Sequence, residues 1–67
     1  WETLREKEQQ VLTLIAAGLL NKEAAERLGN SVRTIENHRA AAMKRLQIKT
    51  LAQLHSLIEA VKENKNQ

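Results

Sequence analysis

Arg33, Asn37, Ala40 and Lys44 recur at intervals of four, three and four residues, the spacing that gathers side chains on one side of an α-helix. Two cations and an amide beside a small residue make a recognition surface, not a reaction centre. The cations suit phosphates, the amide suits a base edge, and the alanine allows close approach. The surrounding charge is concentrated too. Residues 33–49 hold Arg33, Arg39, Lys44, Arg45 and Lys49 against one acid, Glu36, although the whole chain of 67 residues carries only +3. Such a segment implies a polyanionic partner bound through phosphate contact and counterion release. The alternative is a helical protein–protein module whose basic helix docks on an acidic partner.

Covalent chemistry is poorly provided for. Without cysteine there is no thiol nucleophile, no zinc–thiolate site and no disulfide framework. His55 has no Cys, Asp or His partner at metal spacing and is expected to be structural or exposed; His38 is expected to pack and orient. The sequence contains no Ser/His/Asp grouping, no phosphate-cradling glycine loop and no metal cluster. An enzyme is therefore not expected, nor any cofactor. No apolar run approaches the roughly 18 residues of a membrane span, and no signal peptide is visible. A cytoplasmic location without membrane contact is the expectation. The chain opens on Trp1 instead of Met, which points to one domain, residues 1–67, cut from a longer protein.

The elements that must position these residues are all helical. The chain lacks proline, has two glycines and one aromatic residue, and is rich in good helix formers. Apolar spacing predicts a compact all-α domain of four helices, over about 4–17, 22–28, 32–46 and 50–62. Thr3 and Glu6 have capping-box spacing, Asn21 and Ser31 are candidate N-caps, and Gly18 and Gly29 can end helices in the left-handed conformation. Val32, Ile35, Ala42, Met43 and Leu46 form the expected inner side of the third helix. Leu51, Leu54, Ile58 and Val61 form that of the fourth, and the polar tail from Lys62 is expected to fray.

The second and third segments together fit a helix-turn-helix. Ala25 is small where two helices must approach, Gly29 tolerates positive φ at the sharp turn, and Ile35 can pin the following helix to the core. With "VLTLIAAGL", "NKE.A..LG", "S.RT.E.HR" and "M.RL.IKTLA.L", the chain resembles the LuxR/NarL/FixJ-type helix-turn-helix over nearly its whole length. The resemblance implies sequence-specific binding of double-stranded DNA for transcription regulation, as the output domain of a bacterial two-component response regulator. It places Arg33, Glu36, Asn37 and Ala40 where the family reads base edges. Asn21, Lys22, Ser31, Thr34, Arg39 and Lys44 fall at phosphate contacts or their supports. A homodimer through the fourth helix, with Leu57 and Val61 as contacts, and an RNA polymerase contact in the full-length protein are further implications.

Several positions depart from the family pattern. Arg5 stands where Thr is common, Leu20 where Ser often caps, Ala24 and Asn30 where Ile is usual, and Ala41 where Asn is frequent. Uncompensated, each lost Ile would cost roughly 1–4 kcal/mol, so modest stability is expected. Arg39 admits two roles, a packed stem with its guanidinium on Glu8 or another acid, or a direct phosphate contact. Leu57 is either a dimer seam or ordinary core edge. Trp1 is expected only to cover the end of the bundle.

Overall fold

A computed structural model describes the backbone of residues 1–65 and the side chains of residues 1–63. Among the described residues there are four helices and no strand: α1 (Glu6–Ala16), α2 (Asn21–Leu28), α3 (Val32–Leu46) and α4 (Leu51–Lys65). α1 is the hub, packing against α2, α3 and α4, while α2 also packs on α3. The apolar periodicity becomes one core of Leu4, Val11, Leu12, Ile15, Ala24, Ala25, Ile35, Ala42, Leu54 and Ile58. Ala24 and Ala25 are the fully buried residues of α2, with Leu28 packed half-buried beside the core. Two side chains of one carbon each let α2 settle closely onto its neighbours.

Three helices end in the same way. Leu19 N–H donates to Leu14 C=O, Asn30 N–H to Ala25 C=O and Ile48 N–H to Met43 C=O, at 3.1, 2.9 and 3.1 Å. Each is the six-to-one bond of a Schellman turn, which needs a left-handed residue just past the helix. Gly18 and Gly29 fill that need at φ +100° and +70°, as the sequence predicts. A Cβ at Gly29 would meet nothing within 4 Å, so the backbone sign alone favours glycine there. The third left-handed residue is Gln47, at φ 58°. Gly29, Asn30 and Ser31 then make a three-residue turn between α2 and α3, completing the helix-turn-helix.

Several local expectations are corrected. Thr3 and Glu6 do not cap α1; Arg5 occupies the N-cap, and its N–H donates to Glu8 Oε1 at 2.9 Å. Asn21 is the first residue of α2, and Leu20 is the N-cap, its N–H donating to Glu23 Oε1 at 2.8 Å. Neither Arg5 nor Leu20 has a side-chain acceptor, so each forms only the carboxylate half of a capping box. Val32 and Leu51 are exposed, not buried. Both are first residues of their helices, where the side chain leans back over the preceding turn and overhangs the helix end. α4 continues through Lys65, past the expected end at about residue 62; Asn66 and Gln67 lie outside the described residues. Thr50 and Gln53 start this helix with a complete box: Gln53 N–H donates to Thr50 Oγ1, and Gln53 Oε1 accepts from Thr50 N–H, both at 3.1 Å.

Candidate nucleic-acid interface

The two faces of α3 are sharply different. Ile35 and Ala42 are fully buried on one. Arg33, Glu36, Asn37, Ala40 and Lys44 are all exposed on the other. Among the described residues no hydrogen bond or ion pair ties the Arg33, Glu36, Asn37 or Lys44 side chains to a neighbour. Glu36 does not pair with Arg33, so its carboxylate stays available as an acceptor. The result is a helix edge with cations near both ends and an amide and a methyl group between them.

Ser31 and Thr34 hold the beginning of this helix. Ser31 Oγ accepts from Thr34 N–H at 3.1 Å and lies 2.9 Å from Thr34 Oγ1. One hydroxyl donates to the other, which leaves a single hydroxyl hydrogen free to face outward. The expected N-cap is therefore formed, and it retains one donor for an anion.

At the adjoining start of α2, Lys22 is exposed. The first-turn N–H groups of Asn21, Lys22 and Glu23 have no helical acceptor; Ala24 N–H is the first to find one, on Leu20 C=O at 2.9 Å. Free amides, the positive end of the helix dipole and a lysine favour an anion here. Asn21 is half-buried and accepts a hydrogen bond at Oδ1 from Arg39 Nη1, at 3.2 Å. Arg39 therefore does not pair with Glu8. That role belongs to Arg45, whose Nη1 lies 3.5 Å from the buried Glu8 Oε1. Two of the five cations in the basic stretch, Arg39 and Arg45, are thus engaged within the protein.

Beyond Lys44 the outward face continues into an open groove lined by Ala40, Met43, Lys44, Gln47, Ile48 and Lys49. Sequence reasoning counted Lys49 in the basic stretch but assigned it no role. The left-handed turn at Gln47 brings it beside Lys44, and no local residue pattern announces such a turn without glycine. The Asn21–Arg39 bond joins residues 18 apart and has no periodic signature either. Leu57 and Val61 are both half-buried and border another open groove with Trp1 and Ala60. Trp1 packs against the core, as expected of an end cover. His38 is half-buried and His55 exposed; among the described residues no cluster of His, Cys, Asp or Glu could hold a metal. No described helix is long and apolar enough to cross a membrane.

Comparison with known proteins agrees with this geometry. The tetrathionate response regulatory protein TtrR of Salmonella typhimurium is 41% identical over 54 residues, covering 81% of this chain and 26% of the relative. The transcriptional regulatory protein FixJ of Rhizobium meliloti is 47% identical over 53 residues, 79% of this chain and 26% of the relative. The oxygen regulatory protein NreC of Staphylococcus carnosus is 43% identical over 51 residues, with 76% and 24% covered. The chain spans about a quarter of the length of the curated relatives it matches. Residues 2–58 match the family described as bacterial regulatory proteins, luxR family, a match that takes in all of α1, α2 and α3 and the first half of α4. The chain is a member of the luxR family of bacterial regulatory proteins, in which it forms a four-helix domain built around a helix-turn-helix.

Proposed function

We propose that this domain binds double-stranded DNA sequence-specifically and is the output domain of a longer, cytoplasmic response regulator that controls transcription. One observation carries the reading: α3 buries Ile35 and Ala42 while leaving Arg33, Asn37, Ala40 and Lys44 free on its opposite side. A helix pinned from behind and unspent in front is what major-groove entry requires. Arg33, Glu36, Asn37 and Ala40 read base edges. Lys22, Asn21, Ser31, Thr34 and Lys44 set the register on phosphates, and Arg39 supports them. Glu36 accepts from a cytosine amino group, the base-edge donor suited to a carboxylate. Two copies related by a two-fold axis, in contact through Leu57 and Val61 of α4, read half-sites about one helical turn apart. In the full-length protein another surface of the regulator meets RNA polymerase.

Titration against duplex DNA at several salt concentrations tests this. Affinity falls steeply as salt rises, and one sequence selected from a random pool is preferred over scrambled duplexes. Equal affinity for the selected duplex and for an unrelated acidic polymer would defeat the reading and favour an acidic protein partner.

A further inference from the structure

We infer that Arg39 is a positioning residue: its guanidinium fixes the amide of Asn21 so that the NH2 group of that amide, and not its oxygen, faces the phosphate bound at the start of α2. The inference rests on the DNA-binding reading and goes beyond it by giving Arg39 an indirect role. Arg39 Nη1 lies 3.2 Å from Asn21 Oδ1, and this is the one side-chain hydrogen bond between α2 and α3 among the described residues. A guanidinium has donors and no acceptor, so the amide atom facing it must be the oxygen. The NH2 group is then on the other branch, directed away from Arg39.

That choice matters at this place. Asn21 opens α2, beside exposed Lys22 and the free N–H groups of the first turn. An amide free to turn over would present its oxygen to the anion part of the time, and that orientation repels. Bonding to a cation also polarises the amide and strengthens its remaining donors. Arg39 is suited to the task because its half-buried position, one turn or so past Ile35, confines the stem between the helices. The bond therefore ties the phosphate-facing end of α2 to the middle of the base-reading helix.

The test is a double-mutant cycle on the intact domain, with a duplex selected from a random-sequence pool and affinity measured across a salt series. The variants are Asn21→Ala, Arg39→Met, which keeps an unbranched stem without donors, and the two combined. Each single change weakens binding about tenfold, as expected for one hydrogen bond to a charged group. The combined change also weakens binding only about tenfold, because both remove the same contact. The salt slope of Arg39→Met stays at the wild-type value, since no phosphate charge has lost its counter-charge. Asn21→Asp supplies a second arm: it keeps the acceptor for Arg39, so melting is held or raised, yet it binds DNA more weakly than Asn21→Ala.

Additive losses, with a slope reduced by about one unit in Arg39→Met, would show that Arg39 touches a phosphate itself and overturn the inference. So would an Arg39→Met protein that binds as tightly as wild type. If Arg39→Met does not fold, Asn21→Asp decides alone, and wild-type affinity in that variant overturns the proposal. Failure of the DNA-binding reading is separate and visible earlier: the unaltered domain would then show no preference for duplex over an acidic polymer, and both proposals would fall.

Discussion

The inner and outer sides of α3 differ in almost everything except their helical backbone. Ile35 and Ala42 on the inside have no contact with solvent, and the side chains of Arg33, Glu36, Asn37 and Lys44 outside have no polar partner among the described residues. α4 offers an instructive contrast. It buries Leu54 and Ile58, but among the described residues its outer side chains mix a single cation, Lys62, with the acids Glu59 and Glu63 and with Gln53, His55 and Ser56, beside half-buried Leu57 and Val61. Both helices are anchored by a few apolar side chains, so anchoring does not distinguish them. What distinguishes α3 is that its stability and its recognition chemistry lie on opposite sides and can be altered independently.

The largest effect expected of that separation is on folding. Ile35→Ala empties a fully buried site, and denaturant unfolding will show a loss of about 2–5 kcal/mol. DNA affinity should fall only as far as the folded fraction falls. A large loss of affinity in protein that remains fully folded would break the division between the two sides. Next in size, Asn37→Ala should cost about 1–3 kcal/mol for the preferred duplex and relax preference at one base position. Its melting temperature should stay near wild type, because the residue is exposed.

Asn30 sharpens the comparison from the turn between α2 and α3. Its Nδ2 is buried with no hydrogen-bond partner, at a position where a Schellman turn favours an apolar contact. Asn30→Ile should therefore stabilise the domain by about 1 kcal/mol, read as a higher denaturation midpoint, without altering base preference. The smallest effect is that of Lys22→Ala, a weakening common to all duplexes with the salt slope reduced by about one unit. A change in base preference there would mean that recognition extends onto α2.

The four helices, the two glycine turns and most of the core were legible because each rests on neighbours three or four residues apart. Ala25, Gly29 and Ile35 stand where the helix-turn-helix spacing puts them, and Ser31 caps α3 as expected. The errors share one physical origin. Helical angle was known but height along a neighbour was not. Arg39 was the candidate for Glu8 on α1, yet Arg45, in the last turn of α3, is the residue that lies level with it. Val32 and Leu51 have inward angles but stand at helix ends, past the element they would cover. The α1 cap shows a simpler ambiguity. Thr3/Glu6 and Arg5/Glu8 share a spacing of three residues, and burial of Glu8 decided between them.

Glu8 itself is the only buried charged residue among those described. One of its oxygens serves both the N-cap amide of α1, on Arg5, and the last turn of α3, parts of the chain far apart in sequence. Local opening at either end therefore exposes a carboxylate that the other end still needs. In hydrogen–deuterium exchange, amides at these two ends should gain and lose protection together, as one cooperative unit rather than as two fraying tips.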